Sequence, residues 1–239
     1  LHPRVRRQRQ MCIRDRNSNL YRMAREYYMG NKDIETITAE IDFLTDGEDE
    51  SYYRGWFDLE RFKNHIQELF FKNDKDGFYS WNGLRYFLYE YELYLQDNAN
   101  PKVGWEDFSK RTKEDTIEHI YPQSATDMYW KDRFSHLKPT EKRVYLNSLG
   151  NLLLLSRSKN SKLQNYDFEK KKCLKNKDGK DIGYYNGSYS EIEVSKQNEW
   201  TTETIKERGL SMLQFMEERW KFKFKDWEIE KEEILFPSK

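Results

Sequence analysis

Asp115-Thr-Ile-Glu-His-Ile-Tyr-Pro-Gln-Ser124 and Leu149-Gly-Asn-Leu-Leu-Leu-Leu-Ser-Arg-Ser-Lys-Asn160 are the two stretches on which the reading of this chain turns. The first predicts a strand from Thr116 to Ile120 that stops before Pro122, because proline cannot donate to a sheet ladder. The second opens with the turn-forming pair Gly150-Asn151. It continues through an apolar run, Leu152 to Leu155, and leaves it through polar residues up to Asn160. Lys162 to Lys175 then carries Leu163, Tyr166, Phe168 and Leu174 among lysines, an imperfect fit to one amphipathic helix. Strand, strand and helix, with His119 on the first strand and Asn160 at the helix entrance, suit a compact metal-binding hairpin. The expected fold class is α+β and mostly helical, with this hairpin packed against surrounding helices.

Composition sets the limits. The chain has 239 residues, enough for one or two domains and a sizeable core. Charged residues make up 35% and aromatic residues 16%. That aromatic supply argues for a packed core despite a strongly negative mean hydropathy. No apolar run approaches the roughly 18 residues of a membrane span. Two cysteines, Cys12 and Cys173, exclude both a disulfide framework and a four-thiolate zinc site. A reducing, cytoplasmic setting is expected.

Leu1 to Arg16 hold six Arg and one Asp without periodicity, and read as a non-native leader; a basic nucleic-acid-binding arm is the alternative. Without them the chain keeps 36 basic and 41 acidic residues, so its overall charge does not indicate a nucleic-acid binder. Residues 17–110 are expected to be a helical segment, and 111–239 the domain built on the hairpin. Helices are expected at Leu20–Tyr28, Asp33–Leu44, from Asp58 as cap to about Lys72, at Leu84–Leu95, Met128–Phe134 and Thr140–Leu146, and from Thr201 to Trp220. Arg85 and Glu92 are candidates for an ion pair within the Leu84–Leu95 helix. Lys175 to Ser190 is expected to be a loop.

The paired stretches resemble the HNH, or ββα-metal, nucleases, and specifically the C-terminal domain of GmrSD-type modification-dependent restriction endonucleases. Glu118-His119-Ile-x-Pro-Gln-Ser is similar to the acidic-His strand of that class. Asn151 and Asn160, nine residues apart, match the spacing of the asparagines in HNH domains of RNA-guided DNA nucleases. The 31 residues between His119 and Asn151 exceed the shortest HNH motifs. An insertion accounts for them, since lengthening a surface loop adds little closure entropy.

By that resemblance the chain is a metal-dependent endonuclease hydrolysing DNA, foreign or modified, in a phage-restriction system. His119 is then the general base, Glu118 and Asn160 ligands of Mg²⁺ or Mn²⁺ rather than zinc, and Asn151 the residue holding the loop that carries His119. GmrSD-type proteins usually carry an N-terminal nucleotide-dependent domain, so the chain is expected to be a fragment lacking it. The chemistry is coherent: an imidazole can take a proton from water near neutral pH, and a hard cation held by oxygen ligands can act as Lewis acid. Neighbours on a strand face opposite ways, so Glu118 and His119 enter one site only if the strand twists locally.

From Arg157 to Lys180 nine basic residues face three acidic ones, a local excess beside the motif where a phosphate backbone would lie. Arg157, Lys159 and Lys162 flank Asn160 and are the candidate phosphate contacts. Each residue also has a plainer reading: His119 as a core histidine, Asn151 as a turn residue, Asn160 as a helix cap. The alternative function is a non-catalytic HNH-like module that binds nucleic acid.

Overall fold

The computed structural model describes residues 22–39, 59–72, 75–96, 115–220 and 222–237. The chain divides into two compact units, Leu1–Asp58 and Leu59–Lys239. Within the first, residues 22–28 and 34–39 are helical and bury Met23 and Ile37. The expected leader, the Asp58 cap, residues 40–44, the segment 97–114 and the division at 110/111 lie outside the described residues.

The second unit is α+β. Its helices are α1 (Leu59–Phe71), α2 (Leu84–Gln96), α3 (Met128–Phe134), α4 (Pro139–Asn147), α5 (Arg157–Leu163), α6 (Phe168–Cys173), α7 (Tyr189–Ser195), α8 (Thr202–Trp220) and α9 (Trp227–Leu235). Among the described residues the only sheet is two antiparallel strands, β1 (Asp115–His119) and β2 (Leu152–Ser156). The register runs from Asp115 opposite Ser156 to His119 opposite Leu152, without a bulge.

Two five-residue strands cannot hold themselves together in water; they persist because helices cover them. Leu152, Leu153 and Leu155 are all buried, which explains a continuous apolar run where a half-exposed strand would alternate. Leu153 and Leu155 join Trp130 and Phe134 of α3, Leu163 of α5, Phe168 of α6, Trp200 and Ile205 in one core. A second aromatic group joins α2 to α8, with Phe87 against Phe215 at 5.7 Å and stacked on Trp220 at 6.0 Å.

Local chemistry explains most helix starts. Asp127, Ser156 and Asp167 each accept a backbone N–H in the first turn of α3, α5 and α6. Ser188 and Glu191 form a reciprocal cap on α7, a helix the expected loop over 175–190 overlooked at its end. Helix α4 starts one residue before the expected start at Thr140. Pro139 occupies its first position, and the Glu141 carboxylate accepts the Lys138 N–H at 2.7 Å.

The single helix expected over 162–175 is two, α5 and α6. They are separated at Gln164, whose positive φ of 45° ends α5. The proposed Arg85–Glu92 pair gives way to a different use of Glu92. Its carboxylate accepts from the backbone N–H groups of Tyr189 at 2.7 Å and Ser190 at 2.8 Å, and so holds the start of α7 against α2.

Gly150 is the one position where a missing side chain matters most. A Cβ there would run into the Ile205 carbonyl and the Gly209 amide of α8, backbone that cannot step aside. Gly150→Ala is expected to destabilise the fold by about 3 kcal/mol, the upper end of overpacking costs. Urea unfolding followed by circular dichroism measures it; an unchanged midpoint would show that α8 can shift.

Candidate active site

Glu118 and His119 sit at the end of β1, and the strand stays regular through both. The register carries no bulge at either residue, and the two side chains touch disjoint partners. That is the arrangement strand alternation produces.

On one side Glu118 is buried, and its Oε1 accepts from Lys171 Nζ at 2.6 Å and from Tyr184 Oη at 3.3 Å. Lys171 of α6 is fully buried and also donates to the carbonyls of His119 at 3.3 Å and Ile120 at 3.1 Å. Burial pushes the Glu118 carboxyl up and the Lys171 ammonium down, and each is opposed by the charge of the other. Lys171 therefore spends all three donors on the end of β1. Sequence reading counted Lys171 as part of a basic surface; only its place in the run Lys170-Lys171-Lys172, next to the buried Phe168, hinted that one lysine might turn inward.

Asn160 lies on that same side. Its Nδ2 donates to Thr116 Oγ1 at 2.8 Å, and Thr116 precedes Glu118 by two residues on the strand. The amide oxygen of Asn160 is thus the end suited to a ligand. Glu118 Oε2 accepts no hydrogen bond among the described residues. Two oxygen donors of this kind fit a hard divalent cation, which keeps waters in the rest of its shell. Its competitor for the carboxylate is the Lys171 ammonium on Oε1.

His119 is on the other side, only 6% exposed. Its Nε2 lies 3.2 Å from Asn147 Oδ1, and its ring packs 4.6 Å from the ring of Tyr79. Burial, abetted by the Lys171 charge, lowers its pKa to about 4; the Asn147 bond and Asp76 pull the other way without prevailing. The imidazole is neutral at physiological pH. Neither Asn147 nor Tyr79 is marked by any motif, and both reach His119 only through the fold.

Asn151 makes four hydrogen bonds with its amide. The oxygen accepts from the Tyr121 N–H at 2.8 Å and Trp200 Nε1 at 3.0 Å. The nitrogen donates to the carbonyls of Tyr121 at 3.1 Å and Leu146 at 2.9 Å. An amide so occupied has no capacity left for a ligand; Asn151 anchors the chain just after His119 to the end of α4 and to Trp200. Arg208 of α8 braces the same turn through Nη1, which donates to the carbonyls of Gly150 at 2.8 Å and Leu152 at 3.0 Å.

Of the candidate phosphate contacts, Arg157 and Lys162 are exposed. Lys159 is not available in the way its sequence suggests. It donates to the Gly183 carbonyl at 2.9 Å and pairs with the buried carboxylate of Glu191. Lys172 is also buried and donates to the Gln197 carbonyl at 3.1 Å. The basic stretch is therefore partly structural.

A family model described as "GmrSD restriction endonucleases, C-terminal domain" matches residues 40–215, a span that holds the whole hairpin and every residue named above as part of the site. No curated protein and no solved structure matches the chain.

Two outcomes follow from the geometry. Lys171→Met leaves the Glu118 carboxylate buried without its counter-charge and is expected to cost about 3–5 kcal/mol; adding Glu118→Gln should recover part of that loss. Unfolding curves for the two variants decide it, and a double variant no better than the single would discount the ion pair. For His119 the folded pKa lies below the ordinary 6.5. The stability tied to its neutral form is then complete above pH 6.5 and drains away as pH falls towards 4, by up to about 3 kcal/mol. His119→Gln should flatten the pH dependence of the unfolding midpoint in that window.

Proposed function

From the premise that this chain belongs to the GmrSD restriction endonucleases as their C-terminal domain, we propose that it is an HNH-type, metal-dependent endonuclease. Its substrate is DNA, foreign or modified, and β1, β2 and the helix that follows serve as its ββα-metal hairpin. The observation that carries this reading is the family match spanning a neutral, protein-enclosed imidazole on a hairpin that also bears Glu118 and Asn160.

In this reading a water attacks phosphorus, and the unprotonated ring nitrogen of His119 takes the proton that water sheds. The phosphorus–oxygen bond to the 3′ side breaks, and the departing oxygen leaves with a proton from solvent. A substrate phosphate near His119 would raise the ring's proton affinity from its low resting value, so the base strengthens when DNA is bound. Asn151 keeps the His119–Tyr121 turn in place. Glu118 and Asn160 would hold Mg²⁺ or Mn²⁺ through their oxygens, and, once the end of β1 twists to bring them and His119 to one phosphate, the cation would supply Lewis-acid neutralisation of its charge. Arg157 and Lys162, exposed beside Asn160, are the residues that would meet the phosphate backbone. A nucleotide-dependent partner domain, as the family implies, would select the DNA.

A second reading, a nucleic-acid-binding module without catalysis, draws support from one contact. The Lys171 ammonium already neutralises the carboxylate that a metal would need.

Cleavage of plasmid and phage DNA by the chain with Mg²⁺ or Mn²⁺, beside His119→Ala, separates the two. The nuclease reading expects cutting that chelator abolishes and a loss of at least about 100-fold in the variant. Tight DNA binding with no cutting in either protein would favour the binding module instead.

A further inference from the structure

Asn147, the last residue of α4, is buried and touches the proposed base directly. An asparagine amide can present either its oxygen or its nitrogen, so its orientation has to be argued from the partner on its other side. That partner is the Arg143 carbonyl oxygen, 3.0 Å from Asn147 Nδ2. A carbonyl oxygen only accepts, so the amide nitrogen must face it. Turning the amide over would set two oxygens against one another. Oδ1 is therefore the atom that faces His119 Nε2 at 3.2 Å. That oxygen also only accepts, so in the neutral ring the proton must sit on Nε2.

We propose that Asn147 is a positioning residue for the reaction: it holds His119 as the Nε2–H tautomer and reserves Nδ1, with its lone pair, as the atom that takes the proton from water. The inference rests on the reading of His119 as general base. It also goes beyond that reading, because it assigns the proton and the basic lone pair to particular ring atoms.

The mounting of Asn147 supports the role. One turn earlier on α4, Arg143 donates to the carbonyls of Phe70 at 3.0 Å and Lys72 at 3.2 Å, and also to that of Lys75. Its guanidinium lies 3.5 Å from Asp76 as well. Arg143 thereby fixes the segment that leads into Tyr79, the ring packed on His119. One face of α4 thus orients the imidazole twice, by the hydrogen bond that Asn147 accepts from it and through the loop that Arg143 pins. A single helix turn couples ring position and tautomer.

Nitrogen-15 spectra of the histidine side chains test this directly. The chain has four histidines, and His119→Gln identifies the resonance. In the wild type at neutral pH, His119 should show a protonated Nε2 and an unprotonated Nδ1. Asn147→Asp keeps an acceptor for Nε2–H at the loss of the bond to the Arg143 carbonyl, and should keep the tautomer. Asn147→Leu should speed exchange of the Nε2 proton at least about 10-fold and lower kcat about 10- to 100-fold, with KM for DNA changed less than about twofold.

A wild-type ring protonated on Nδ1 would overturn the proposal. So would an Asn147→Leu protein with unchanged proton exchange and kcat. If Asn147→Leu does not fold, the wild-type spectrum and Asn147→Asp still decide. If the wild type cuts no DNA, the nuclease reading fails while the spectra continue to report whether Asn147 sets the tautomer.

Discussion

The ladder between β1 and β2 is too short to stand on its own, and the rest of the second unit is arranged around that fact. Five residue pairs cannot offset the entropy of ordering two strands, so helices must dry the strands and satisfy the polar groups at their ends. Asn151 answers most of the second need. Its amide bonds both backbone groups of Tyr121, the Leu146 carbonyl and the Trp200 indole, and so joins the exit of β1 to α4 and to the lead-in of α8. Lys171 answers what remains, through the carbonyls of His119 and Ile120. The close passage of Gly150 against α8 sets the distance at which all of this happens.

The same scaffolding explains the unequal surroundings of two adjacent residues. Strand alternation sends Glu118 towards a buried ammonium and a phenol, and His119 towards an amide and an aromatic ring. Burial disfavours charge at both, but Lys171 and Tyr184 oppose it at Glu118 with hydrogen bonds that suit the carboxylate, while at His119 burial prevails. One neighbour is suited to a positive partner, the other to a neutral ring. Division of labour between adjacent side chains follows from geometry before any ligand is considered.

Counting charge along a chain overstates what solvent sees. The basic excess from Arg157 to Lys180 looks like one surface, yet Lys159, Lys171 and Lys172 turn inward and bond carbonyls or buried carboxylates. Long aliphatic stems allow a lysine to cross apolar packing and deliver its ammonium to a distant acceptor. Arg157 and Lys162, on the exposed side of the short helix α5, keep the character that the count implied.

The sequence by itself determined the two strands, the apolar run buried on both faces, most helix spans and the family to which the chain belongs. These rest on local signals: a proline that ends a ladder, a glycine-asparagine turn, capping residues and periodicity of apolar positions. It also marked Glu118, His119, Asn151 and Asn160 as residues of interest, because they stand within two short motifs. The tertiary structure alone decided what each of them touches. Asn147 lies 28 residues from His119 and Lys171 lies 53 from Glu118. No local pattern encodes a contact of that separation. Which acceptor a buried lysine reaches, and which nitrogen of an imidazole keeps its proton, follow from how helices pack, and packing is a property of the whole chain.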